Sequence, residues 1–293
     1  MTDERRQTRR LWHLLETIHA ITYFAPEPTD AYRALGLKGF WMGYFASRVA
    51  PMGPIGSELG AAVLFGFRPS MVARTLPSVW ATTSPEAVIE ARTRGVEAAL
   101  SRILGAALGA SEVAEAAVLA EEALPGCSAA GRPLFAAYST LPRPSTAVGR
   151  LWRAATLLRE HRGDGHVAAM VAQGDDGLDG HVLFAATGAV DRSTLQPNRG
   201  WTDDEWQGCE QRLSERGLLH AGRLTEMGRR HRHQVEDATD DVAAEPWRHL
   251  GVEATDRLAR LVTPLVDALL DSGTLPFPNP IGLPAGADRE PDR

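Results

Sequence analysis

Lysine is almost missing from this chain. Lys38 is the only one in 293 residues, so arginine carries nearly all of the positive charge. Arginine favours forked recognition of carboxylates and phosphates, and a GC-rich genome produces the same bias. Cysteine is scarce too. Cys127 and Cys209 have no metal-ligand spacing, which argues against a disulfide scaffold and for a reducing cytoplasm. No apolar run reaches the ~18 residues of a membrane helix. The opening MTDERRQTRR has no apolar signal core, so the expectation is a cytoplasmic protein without a membrane partner. A formal net charge of −6 draws the chain as a whole neither to nucleic acid nor to anionic lipid. Walker loops, HExxH, GxSxG, paired CxxC and EF-hand loops are all missing, so neither a cofactor nor a metal is expected.

What is present is helical. Leu11, Leu14, Leu15, Ile18 and Ile21 recur at helical spacing, and Pro26 and Pro28 stop that run. Thr29-Asp30 can cap the next helix, a further one reads FWMGYFASRVA, Pro69 starts a short one, and Ser84-Pro85-Glu86 opens another. Residues 1–149 show no period-two run and no repeat. From residue 150 the pattern is helix, turn, helix, capped helix, hairpin and long helix. Thr202-Asp203-Asp204-Glu205 is a capping sequence, and Gly217 is the matching C-terminal stop. EHRGDGH (160–166) reads as a turn in which Asp164 caps the helix that His166 opens. The expected fold is mainly α, with a helical domain over 1–149. A C-terminal winged helix with a short two-stranded wing and one more helix takes up 150–273. The Pro-rich tail, 274–293, is expected to be extended or disordered.

Three constellations are candidates for a site where residues 15–80 meet 150–185. His19 and Tyr23 share a helix face with Glu27 just beyond. Tyr44 and Arg48 stand at the same spacing on an apolar helix, and a buried guanidinium there needs an anion, either Glu58 or Glu27 or an acidic ligand. Glu160, His161, Arg162, Asp164 and His166 form the third. The spacing of Asp164, His166 and His181 is not diagnostic of a metal. The assigned roles are Arg48 as anion anchor and His19 or His166 as general acid or base. Glu58 is a base or an ammonium partner, Tyr23 and Tyr44 orient the ligand, and Asp164 binds it. Phe40, Trp41, Tyr44 and Phe45 read as core or as the wall of an apolar pocket.

RLSERGLL (212–219) and RLTEMGRR (223–230) make residues 150–245 resemble the effector-responsive winged-helix repressors of the MarR type. The whole chain also resembles an actinobacterial helix-turn-helix family that pairs a helical N-terminal region with this module. GYFASRVAPMGP (43–54), VARTLPSVW (72–80), REHRGDGHVAAM (159–170) and ATDDVAAEPW (238–247) carry that likeness. Some members lie among specialised-metabolite genes. The resemblance implies a winged helix and brings no defined chemistry with it.

The would-be reading helix, 201–217, bears five carboxylates against two arginines. Its acids crowd the end that faces base edges in DNA-reading relatives. That sign opposes entry into a groove lined with phosphates. Arg223, Arg229, Arg230 and Arg232 are the residues that would contact DNA in the opposite reading. The lead expectation is therefore a small-molecule-handling protein of actinobacterial specialised metabolism with an anionic ligand. It would act by proton transfer or intramolecular displacement, on a winged-helix scaffold that does not read DNA. The alternative is a MarR-like, ligand-responsive regulator that binds DNA as a homodimer. A third reading is a scaffold for a protein partner.

Overall fold

Helix starts follow their caps. The structure, a computed structural model, describes residues 2–105 and 110–283. Helix α1 (Asp3–Phe24) opens on Thr2, whose hydroxyl accepts from the Arg5 amide, with Asp3 and Glu4 on its positive end. Then come α2 (Pro26–Ala34), α3 (Gly39–Val49), α4 (Ser57–Val63) and α5 (Pro69–Val72), separated by Pro- and Gly-containing turns. Ser84 caps α6 (Pro85–Leu104) by accepting from the Ala87 amide, as its sequence suggests. Next come α7 (Ala110–Ala123), α8 (Pro133–Ser139) and the long α9 (Ala147–Ala172).

Helix α9 corrects one expectation. EHRGDGH is no turn, because the helix runs unbroken through Gly163 and Gly165. Gly165 marks a close approach to a later helix, α13 (Glu226–Ala243). A Cβ at Gly165 would lie 2.8 Å from Val242 Cγ2. Asp164 therefore does not cap its own helix. Its Oδ2 accepts from the Phe135 amide in the first turn of α8, at 2.9 Å.

Beyond α9 lie α10 (Gly177–Ala185), α11 (Arg192–Arg199) and α12 (Asp203–Glu215), then strands β1 (Leu219–His220) and β2 (Arg223–Leu224), then α13. The capping box of α12 is formed by Thr202 and Glu205, and Gly217 takes φ 73° beyond its end. The hairpin pairs Leu219 with Leu224 and His220 with Arg223 in antiparallel register. It turns through Ala221 and Gly222, both at positive φ. Helices α14 (Glu245–Leu250) and α15 (Val252–Asp271) end the helical order among the described residues.

Two apolar cores result. The larger joins α1, α3, α6, α7, α9 and α15 around Leu14, Phe45, Leu100, Leu151 and Leu258. The smaller joins Leu178, Leu195, Trp206, Leu213 and Leu219. Helix α9 enters the main lobe at Leu151, and α15 packs there as well. The stretch 274–283 is irregular but packed. Leu275 and Leu283 are buried, and buried Asn279 bridges to the Leu283 backbone through both its amide groups. The rest of the expected tail lies outside the described residues. Among the described residues, no helix is long and apolar enough to cross a membrane.

Candidate functional site

A cleft of about 1290 Å³ opens between the two lobes. One wall comes from α1, α3, α9 and the 63–67 loop, the other from α10, α13 and residues 280–282. Nine arginines line it against six carboxylates, so the described wall carries surplus positive charge.

Part of the surplus lies at the buried end. Helical spacing brings Arg48 Nη1 to the Tyr44 hydroxyl at 3.3 Å, and Nη2 reaches Glu160 Oε2 at the same distance. Arg48 Nε has no acceptor. Arg159 donates to the same Glu160 oxygen at 2.8 Å and to Glu16 at 3.3 Å. Glu160 is fully buried, and its other oxygen is unpartnered. Arg199, at the end of α11, is 8% exposed. Among the described residues its guanidinium donates only to the carbonyls of Asn198 and Pro280, and it lies 4.7 Å from the centre of the Phe67 ring. Three guanidiniums thus meet two carboxylates. Burial opposes the charge on Arg48, yet the Glu160 carboxylate beside it prevails and raises its pKa. Glu160 is likewise desolvated, but Arg159 and Arg48 hold its pKa below the ordinary value. For Arg199 burial prevails, and its pKa falls.

The outer wall is built differently. Arg162 stacks over Trp12 at 4.0 Å and reaches Glu236 and Asp240 at 3.4 Å each. Burial lowers His13 to about 4 and also lowers His166, so both are neutral near pH 7. The tautomer of His166 follows from its partner. Thr239 Oγ1 donates to the Val235 carbonyl, so it accepts from His166 Nδ1–H at 2.9 Å. Nε2 is then the bare lone pair, with no partner among the described residues. A neutral base with its tautomer set by a second group is the arrangement that proton abstraction requires. Asp164 also lines the cleft. Burial raises it to about 6 despite the Phe135 amide. It faces α8 while His166 faces α13, so the two do not converge on one atom.

The remaining predicted residues scatter. His19 and Tyr23 lie behind Tyr44 and outside the cleft lining. Thr156 Oγ1 donates to the Trp152 carbonyl, so His19 Nδ1–H donates to Thr156 and Nε2 accepts the Tyr23 hydroxyl proton. Both nitrogens are occupied, and burial keeps the ring neutral. Glu58 is exposed on α4, and Glu27 pairs with Arg102. The sequence offers Glu58, Glu27 or an acidic ligand as the anion for Arg48, but neither glutamate reaches it; Glu160 does, across 112 residues of chain. Arg159 and Arg199 are the site residues that reading missed. Arg199 sits in a polar stretch, QPNRG, and nothing local marks it for burial.

The deciding comparison covers nearly the whole chain. A helix-turn-helix family matches residues 8–276. The chain belongs to that helix-turn-helix family. No curated protein and no solved structure matches it. Ion pairs within the chain engage Asp203, Glu205 and Arg212 on α12 and Arg216 just beyond it. Asp203 pairs with Arg192 at 2.6 Å and Glu205 with Arg68 at 2.8 Å. Arg212 reaches Asp179 at 3.3 Å and Arg216 reaches Asp175 at 2.9 Å. Arg229 and Arg230 share Glu226, while Arg232 turns into the cleft and lies 5.5 Å from the Phe184 ring. Arg223 is exposed on the hairpin and has no ion-pair partner among the described residues.

Proposed function

We propose that this protein binds an anionic small molecule in the cleft between its lobes. Arg199 carries the argument. A buried guanidinium satisfied, among the described residues, only by carbonyls is a cation that an anionic group would neutralise. Trp12, Tyr44 and Phe67 supply apolar wall for the body of the ligand. The neutral His166 is the group placed to take a proton from it. Residues 175–243 act in this reading as a MarR-type winged helix that closes the cleft rather than one that reads DNA. The carboxylates on α12 support that view.

Thermal unfolding with a panel of small carboxylates, phosphates and sulfates tests the proposal. A ligand at 100 times its Kd adds about 2.7 kcal/mol, which is a rise of about 5 °C or more for a chain of this size. Arg199→Met abolishes the rise. A panel without effect, or an effect that survives Arg199→Met, overturns the reading.

A second reading is favoured by the family itself: a ligand-responsive regulator whose hairpin places Arg223 in a minor groove, with Arg229 and Arg230 on phosphates. A duplex shift that weakens steeply with salt and is reduced by Arg223→Ala selects it.

A further inference from the structure

His181, on α10, is a second histidine of the cleft wall whose tautomer is fixed by a neighbour. Its Nε2 stands 3.0 Å from the Gly66 carbonyl oxygen, which also takes the Trp201 indole N–H at 3.1 Å. A carbonyl oxygen only accepts, so Nε2 carries the ring proton. Nδ1 is therefore a bare lone pair. Burial pushes the ring down to about 3, so it is neutral near pH 7 and the lone pair stays free of a proton. Nδ1 has no partner among the described residues and is not buried out of reach of a ligand atom.

One loop ties this nitrogen to the anion site. His181 is bonded to Gly66, and the Arg199 guanidinium lies 4.7 Å from the ring of the next residue, Phe67. The residue after that, Arg68, donates its amide to the Arg199 carbonyl at 3.0 Å. Residues 66–68 thus position both an acceptor and a buried cation on the same cleft. The two ask for different groups. Guanidiniums donate and cannot accept, so an anion satisfies them. His181 Nδ1 accepts and cannot donate, so it needs an O–H or N–H that a simple anion lacks. An ammonium is disfavoured, since nine arginines face six carboxylates around this wall. A hydroxyl brings the proton without the charge. At the buried end, three guanidiniums against two carboxylates leave one positive charge, which a monoanion balances.

We infer that His181 sets specificity in the cleft: the ligand is a monocarboxylate that also carries an alcohol hydroxyl, its carboxylate at Arg199 and its O–H donated to His181 Nδ1. The inference rests on the anion-binding reading of the cleft and narrows it to hydroxy acids.

Calorimetric titration of the full chain with two pairs of acids is the test. Mandelate and phenylacetate differ by a hydroxyl on the α carbon, tropate and hydratropate by one on the β carbon. Their phenyl group suits the wall of Trp12, Tyr44 and Phe67. In at least one pair the hydroxy acid is expected to bind at least about tenfold tighter, because the plain acid leaves Nδ1 unpaired. Arg199→Met abolishes binding of all four. His181→Gln keeps an N–H for Gly66 and removes the acceptor at Nδ1, so the members of each pair become equal. His181→Asn puts a carbonyl oxygen in the place of Nδ1 and keeps the preference. Should His181→Gln fail to fold, His181→Asn decides. Equal binding within both pairs overturns the inference and leaves the anion site standing. So does a preference that survives His181→Gln, or one lost in His181→Asn while the plain acids still bind. If none of the four binds but another anion does so through Arg199, the inference alone falls; if no anion binds, the anion site falls with it.

Discussion

Single residues in this protein are tuned by burial before they are tuned by charge. Asp164 illustrates the sign. Its folded pKa of about 6 lies above that of a free carboxyl, so its contribution to stability is present at low pH and lost as pH rises through 6. Asp164→Asn keeps an acceptor for the Phe135 amide and removes the charge. Above pH 7 the variant should be more stable than the parent by about 2–3 kcal/mol, and the difference should vanish near pH 4. Urea titrations at both pH values check this. The histidines run the other way. His13 at about 4 and His181 at about 3 are depressed, so their contribution is present above pH 6.5 and fades on acidification.

At the scale of elements, glycine decides where helices touch. Both Gly163 and Gly165 lie inside α9, where a glycine costs about 1 kcal/mol relative to alanine. A Cβ at Gly163 meets nothing nearer than an Arg159 nitrogen at 3.8 Å, whereas at Gly165 it meets Val242 at 2.8 Å. Gly163→Ala should therefore raise stability by up to about 1 kcal/mol. Gly165→Ala should lower it by about 1–3 kcal/mol through overpacking against α13. Denaturant midpoints of the pair separate the two effects. The same pair explains why a continuous helix reads as a turn. Two glycines and an aspartate in seven residues carry the local signature of a loop. Only the proximity of α13 turns that signature into a packing requirement. The caps of α6 and α12 and the hairpin at 219–224 were legible because the partners of each lie within a few residues.

The whole molecule depends on how the small lobe seats on the main one. The seat is narrow. Gly66 O accepts from His181 Nε2 at 3.0 Å and from Trp201 Nε1 at 3.1 Å, and the Arg68 amide donates to Arg199 O at 3.0 Å. Gly177 lets α10 reach this loop, since a Cβ there would lie 1.9 Å from the Phe65 carbonyl oxygen. Gly177→Ala is expected to cost about 1–3 kcal/mol by displacing the small lobe. Amides over 178–224 should then exchange faster while those of α6 stay protected. Uniform acceleration across both lobes would show instead that they unfold as one unit. Displacement of the lobe also opens the cleft, so the anion-induced rise in melting temperature should fall in the same variant.

Sequence alone determined what short range can determine: the helical periods, the caps, the hairpin, and the pairing of Tyr44 with Arg48 one turn apart. These follow from backbone geometry, which is set within four residues. Folding decided which carboxylate neutralises Arg48, and that Arg199 is buried without one among the described residues. Glu160 on α9 meets Arg48 on α3 only in the folded chain, and Arg199 is tied to the Pro280 carbonyl, 81 residues away. Charge balance in a buried site is summed over elements distant in the chain, so it exists only once they have packed.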